Sequence, residues 1–272
     1  VQPLSDAGLT TLGGFLPLTS LPMTVTGSGA NLDGPWAVLV SGAAFETSML
    51  QFMIANSTAT TNVIRSMYVD IGVGPPGSER VVVNGLLAGS LGCPRKYDLP
   101  LRVPAGSVIS ARMRGVLPAD ALQAQLVING GGWNFGDAGH VATTYGLDPA
   151  NSRGTMLTAI TSGNTKSTPT VLDAACANPI RWLIPCIMGP VDDATWTSRT
   201  CLIDIGYGPS GQEVWPISNL AGSWTTSESY NGHVLTVPVN VPAGTRLVAR
   251  YQADAVSSAP TERPCVSLIG VH

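Results

Sequence analysis

The sequence predicts an all-β protein: two tandem antiparallel jelly-roll-like β-sandwich domains related by internal duplication. Three observations predict it: a tract that occurs twice, short apolar runs bounded by turn residues, and matching Pro-Ala-Gly steps in both halves. The tract is Asp70-Ile71-Gly72-Val73-Gly74-Pro75-Pro76-Gly77, and it returns as Asp204-Ile205-Gly206-Tyr207-Gly208-Pro209-Ser210-Gly211. Glu79 and Glu213 follow at the same distance, and residues 87–90 read Leu-Ala-Gly-Ser, as do 220–223. Further on, Val103-Pro104-Ala105-Gly106-Ser107 matches Val241-Pro242-Ala243-Gly244-Thr245, each before an apolar alternation that ends in arginine, Arg112 or Arg250.

In chain order, residues 1–23 form an arm. Leu4, Leu9, Leu12, Phe15, Leu16, Leu18 and Leu21 are too many apolar groups for a free disordered tail. They need a surface, either the chain's own first domain or a neighbouring subunit, with the neighbour favoured. The arm has no evident counterpart before the second repeat. The first repeat spans 24–130, with strands expected at 38–40, 49–54, 64–71, 81–83, 99–103, 108–112 and 122–128, short runs separated by Gly, Pro, Asn and Ser. Residues 118–124 read either as a short helix or as a turn into the last strand. Each Pro-Ala-Gly step turns the chain, because proline presets φ for the first inner position of a β-turn and glycine suits its last. The connection 131–156 is glycine-rich, yet Trp133, Phe135 and Tyr145 call for packing rather than a free linker. The second repeat spans 157–272. A step of 133 residues (157 minus 24) places Asn31 on Asn164 and Met49 on Trp182, and by Asp70 and Asp204 the step is 134.

A chain of 272 residues, 44% hydrophobic, is long enough for two cores. Only 11% is charged, against roughly 25% in an average soluble protein. Either an assembly covers much of the surface, or this is a neutral secreted β-protein coated in Ser, Thr and Asn. With a net charge of −3 and no basic cluster, no nucleic-acid partner is expected. Arg95 and Lys96 form the densest basic point and read as an exposed loop before a strand. Cys93, Cys176, Cys186, Cys201 and Cys265 are odd in number and lack C-x-x-C spacing, so zinc is not expected. They read as small buried residues of a protein folded in a reducing cytoplasm, with a bond among Cys176, Cys186 and Cys201 left open. Residues 1–23 lack the pattern of a signal peptide, and no run is apolar for the ~18 residues of a membrane helix, so no membrane partner is expected.

Asp70 with Glu79, and Asp204 with Glu213, are the acidic residues repeated in both copies. Paired carboxylates can serve glycoside hydrolysis or calcium binding. Retention in both copies of a duplication points instead to the shared fold. The expectation is that Asp70 pairs with Arg112, and Asp204 with Arg250, at strand ends in a chain poor in charge. Gly-x-Gly without a following Gly-Lys-Ser and helix is no phosphate loop. His140, His233 and His272 are too scattered for a metal site, and no Gly-x-Ser-x-Gly elbow occurs. No catalytic residue, metal or cofactor is therefore expected. Four of the six tryptophans, Trp182, Trp196, Trp215 and Trp224, crowd the second repeat. Trp182 reads as core. Trp224, Thr225, Thr226, Tyr230 and Asn231 form an aromatic and polar loop suited either to stacking on a sugar or to anchoring a protein interface.

The repeated D-I-G-x-G-P-x-G tract, the V-P-A-G-[ST] turn and the alternating strand ending in arginine resemble β-sandwich proteins of tailed-phage virions and of phage-like gene transfer agents. The resemblance covers 24–272 and not the arm. Such proteins occur as head decorations, head spikes or fibres, and tail adhesins, often as oligomers, and several bind host polysaccharide. The resemblance implies a non-enzymatic structural protein on the virion surface, assembled in the host bacterial cytoplasm. Its partners would be other capsid or tail proteins, further copies of the chain, and host-surface polysaccharide. The alternative is a secreted, stand-alone carbohydrate-binding module or glycosidase-like β-sandwich protein.

Overall fold

The computed structural model describes residues 9–12, 23–56, 66–89, 95–115, 120–130, 138–188, 199–224, 229–231, 235–256 and 262–272. The first copy runs β1 (Leu9–Leu12), β2 (Met23–Thr26), β3 (Ala37–Val40), β4 (Thr47–Asn56), β5 (Ser66–Val73), β6 (Arg80–Gly89), β7 (Arg95–Leu99), β8 (Ile109–Gly115) and β9 (Ala121–Gly130). Then come β10 (Ala142–Tyr145), β11 (Leu147–Asp148), a 3-10 turn at Pro149–Asn151 and β12 (Arg153–Met156). The second copy continues with β13 (Thr170–Asp173), β14 (Ile180–Met188), β15 (Arg199–Tyr207), β16 (Val214–Trp224), β17 (Ser229–Asn231), β18 (Val237–Val241), β19 (Leu247–Ala253) and β20 (Cys265–Val271).

The fold is all-β, and each copy is a jelly roll. In the first, the sheet β2-β9-β4-β7 packs on β3-β8-β5-β6; in the second, β12-β20-β14-β18 packs on β13-β19-β15-β16, with β17 added at the edge. Alternation of side chains aims one face of each strand inward. The result repeats in detail: β8 and β19 share the same burial sequence along their seven residues. The turns repeat too. Gly106 and Gly244 take φ of +79° and +78°, and a Cβ on either would meet nothing, so backbone conformation rather than space selects glycine there. Asn31 and Asn164 both sit at positive φ, and their amides donate to Gly115 and Ala253 carbonyls at 2.7 Å.

The duplication reaches further back than the sequence reading places it. β1 pairs with β9, Leu9 opposite Asn129 and Leu12 opposite Leu126, and β2 continues on the same edge from Ala124 to Ala121. In the second copy β10 pairs with β20, Ala142 opposite Val271, and β12 follows on that edge. β10 begins one 133-residue step after β1 (142 minus 9). Leu9-Thr10-Thr11-Leu12 thus aligns with Ala142-Thr143-Thr144-Tyr145, each before a glycine. The arm does have a counterpart, and it is the connection. Over residues 9–12 the arm lies on the chain's own first sheet, where the sequence reading favours a neighbour.

Other expectations shift for local reasons. The Leu-Ala-Gly-Ser match is out of register by one, since Val69 faces Leu86 while its equivalent Ile203 faces Leu220. The strand expected at 99–103 lies earlier, as β7, because Pro100 and Pro104 remove ladder amides. Arg95 is accordingly a buried strand residue and not part of an exposed loop. Residues 121–124 belong to β9 rather than to a helix. Tyr145 is buried in the second core, while Trp133 and Phe135 lie outside the described residues.

The two copies share one ten-stranded sheet. β10 joins it, antiparallel to β20 and parallel to β6, with Ala142 opposite Val83. Every residue of β20 is buried, because one face meets the second core (Val266, Leu268) and the other the first (Cys265, Ile269, Val271). A strand covered on both sides reads as a continuous apolar run rather than an alternation.

Candidate functional site

The repeated tract builds the same charged cluster twice. β5 lies beside β8 with Asp70 opposite Arg112, and β15 beside β19 with Asp204 opposite Arg250. Arg112 donates to Asp70 Oδ2 from Nε at 2.9 Å and from Nη2 at 2.8 Å; Arg250 Nε donates to Asp204 Oδ2 at 2.8 Å. The other carboxylate oxygen has a structural task. Gly85 and Asn219 sit at φ of 71° and 57° in β6 and β16, and their amides donate to Asp70 Oδ1 and Asp204 Oδ1 at 2.8 Å. An amide bent out of the ladder needs an acceptor, and the aspartate supplies it. Glu79 and Glu213 likewise accept the amides of Gly77 and Gly211 in their own turns, at 2.9 and 3.1 Å. Arg246 also binds Glu213 at 2.9 Å, and that hydrogen bond holds the Glu213 carboxyl below its ordinary range.

An indole completes each cluster. The Arg112 guanidinium carbon lies 4.7 Å from the Trp36 ring centroid, and that of Arg250 4.1 Å from Trp215. Each ring covers the glycine of the tract: a Cβ on Gly72 would stand 2.8 Å from Trp36, and one on Gly206 2.6 Å from Trp215. The rings come from different places, Trp36 just before β3 and Trp215 in β16 where the first copy has Val81. Sequence comparison of the repeats misses this, because the tryptophans do not align.

The clusters differ at one aligned position. In the first copy Asp33 accepts from Arg114 Nη2 at 2.7 Å and Arg112 Nη2 at 3.1 Å. In the second, Lys166 takes that place and donates to Asp204 Oδ1 and Asn219 Oδ1, both at 2.8 Å. Burial raises the pKa of Asp204, but the hydrogen bonds from Lys166, the Asn219 amide and Arg250 outweigh it and hold the carboxyl below its ordinary range. The first cluster opens into a cleft of about 500 Å³, bounded by Asp33, Asp70, Asn84, Arg114, Thr143 and Leu147. Its far wall is β10 and β11, and among the described residues no strands stand in that place against β16. The carboxylates in it are bound by guanidinium groups and a backbone amide, an arrangement that builds a polar recess rather than a proton-transfer pair.

The sugar-binding loop of the sequence reading is only partly described. β16 and β17 form a hairpin with Trp224 opposite Ser229, Tyr230 opposite Ser223 and Asn231 opposite Gly222. Thr225 and Thr226 lie outside the described residues. The structure also joins two histidines that are distant in sequence. His140 and His272 border a recess of about 360 Å³ with Arg102 and Arg181, and His272 Nε2 lies 2.9 Å from Thr143 Oγ1. Burial lowers the His272 pKa. His233 lies outside the described residues. Among the described residues no cluster of three His, Cys, Asp or Glu could hold a metal ion, and no helix is long and apolar enough to cross a membrane.

No protein-family model matches the chain, and no curated protein matches it. Among solved structures it is similar to PNGase F, a glycosylasparaginase from Flavobacterium meningosepticum, at 11% identity and a TM-score of 0.41, over 97% of this chain and 96% of that one. It is similar to the STIV major capsid protein at 8% identity and a TM-score of 0.38, over 97% and 95%. Against PNGF-II the values are 8% and 0.39, and this chain, 99% covered, spans 66% of that protein's length.

Proposed function

We propose that the chain is a non-enzymatic structural protein of a virion surface: a head spike or fibre, a decoration, or a tail adhesin. It assembles in the host bacterial cytoplasm with other capsid or tail proteins and attaches to host-surface polysaccharide. One observation supports this most: what the two copies share is scaffold. Asp70, Asp204, Glu79 and Glu213 each hold a backbone amide, and both aspartates are bound by arginine. An enzyme that duplicated its acids for chemistry would leave one free to exchange a proton.

Thiol chemistry adds support. Cys176, Cys186 and Cys201 are free and buried, and burial pushes Cys186 up to about 11 and Cys201 to about 12. Buried thiols outside any disulfide suit folding in a reducing cytoplasm rather than secretion. The alternative, a secreted carbohydrate-binding or glycosidase-like protein, draws on the cleft beside Asp33 and Asp70, whose volume fits a small ligand. A mass-spectrometric census of purified particles separates the two. The expected result is the chain at stoichiometric abundance; a chain absent from particles that cleaves glycans overturns the virion reading.

A further inference from the structure

We propose that the chain associates head to tail with further copies of itself, repeating between molecules the contact that joins its own two copies. This rests on the assembly part of the reading above. Inside the chain, β10 lies parallel to β6, and the Thr144 amide donates to Asn84 Oδ1 at 2.9 Å. The outer face of β14 and β20 then closes the open side of the first jelly roll between β6 and β7. Ile184, Cys186 and Ile269 join the first core, which also holds Leu87 and Tyr97.

The register of the repeat carries each partner into the other copy. On the inserting side β10 becomes β1, Cys186 becomes Met53, Ser267 becomes Gln125 and Ile269 becomes Val127. On the receiving side Val83 becomes Ile217, Asn84 becomes Ser218, Leu87 becomes Ala221 and Tyr97 becomes Leu235. A single chain leaves the receiving side unfinished. Tyr97 is fully buried, but Leu235 is 40% exposed; Leu87 is buried, but Ala221 is exposed. β17 covers the outer edge of β16 only at 222–224, and among the described residues no strand lies on that edge at Ile217 and Ser218, whose other side faces β15.

On the inserting side, β1 pairs with β9 alone among the described strands. The outer positions of β4 and β9 (Met49, Gln51, Met53, Gln123, Gln125, Val127) are all uncharged. Gln125 and Val127 are already buried in the single chain, at 4% and 8% exposed, so what this side leaves open is the outer edge of β1. The relation between the two copies is not two-fold, since among the described strands β1 does not lie against β16 as β10 lies against β6. The contact is therefore heterologous, and it closes a ring or extends a fibre.

Light scattering on the full chain during size-exclusion chromatography is expected to find an oligomer. Leu235→Glu, at an exposed position, should weaken association roughly tenfold or more while leaving the melting temperature unchanged. A Thr11→Cys chain mixed with a Ser218→Cys chain should form an intermolecular disulfide, because these positions correspond to Thr144 and Asn84. A monomeric wild type, an oligomer indifferent to Leu235→Glu, or the absence of that cross-link overturns the proposal. An oligomer of this kind absent from particles would instead overturn the virion reading and leave the contact standing.

Discussion

At the scale of the residue, Asp204 carries more than Asp70 although the two align. Its side chain is 3% exposed against 15%, and it accepts from Lys166, Arg250 and the Asn219 amide together. Removing one partner of a buried ion pair leaves the others desolvated and uncompensated. Asp204→Asn should therefore cost about 3 kcal/mol in urea denaturation, and Asp70→Asn clearly less. The pH dependence follows from the lowered carboxyl of Asp204. A depressed folded pKa gives stability that is fully present above the unfolded value and is lost as pH falls through the folded one. The gap between wild type and Asp204→Asn should thus be widest near neutral pH and close progressively below about pH 4. A gap that stays constant into acid would place the effect elsewhere. Gly206 makes a separate point: a methyl there meets the Trp215 ring at 2.6 Å. Gly206→Ala should push the indole off Arg250, cost about 1–3 kcal/mol and alter tryptophan fluorescence. An unchanged emission spectrum would contradict this.

At the scale of the element, β10 decides how the two copies are joined, and it is held to β6 largely through one side chain. Asn84 Oδ1 takes the Thr144 amide, and its backbone carbonyl takes the Thr144 hydroxyl. Asn84→Ala should loosen β10, and hydrogen exchange at residues 142–145 should accelerate while β4 and β9 stay protected. Uniform exchange across all three strands would argue against β10 as the joint. This element was also the hardest to read. The strands of the jelly rolls were legible because burial on one face leaves alternation, and because Pro-Ala-Gly and Gly-Pro turns recur at fixed steps. β10 was hidden, since its signal is only a Thr-Thr pair and a glycine shared with the arm, too short to stand out against chance. The charged cluster was legible in part. Asp and Arg recur in register, whereas Trp36 and Trp215 reach equivalent glycines from different strands, and Asp33 and Lys166 carry opposite charge at one aligned position.

At the scale of the whole molecule, the question is whether two jelly rolls make two folding units. Their boundaries suggest so, but the packing does not. The first core contains Ile184, Cys186, Met188, Cys265, Ile269 and Val271, all contributed by β14 and β20 of the second copy. Without them the side between β6 and β7 would expose Leu86, Leu87 and Tyr97, which are fully buried in the intact chain. Domains that unfold separately have separate cores and thin, polar contacts; a shared core and a shared sheet couple them. The chain should therefore unfold in a single calorimetric transition, with calorimetric and van't Hoff enthalpies in agreement. Residues 1–130 alone should expose that apolar side and fail to give a cooperative melt. Two resolved transitions, or a first copy that melts cooperatively by itself, would mean that the seam is a contact between finished domains and not part of either core.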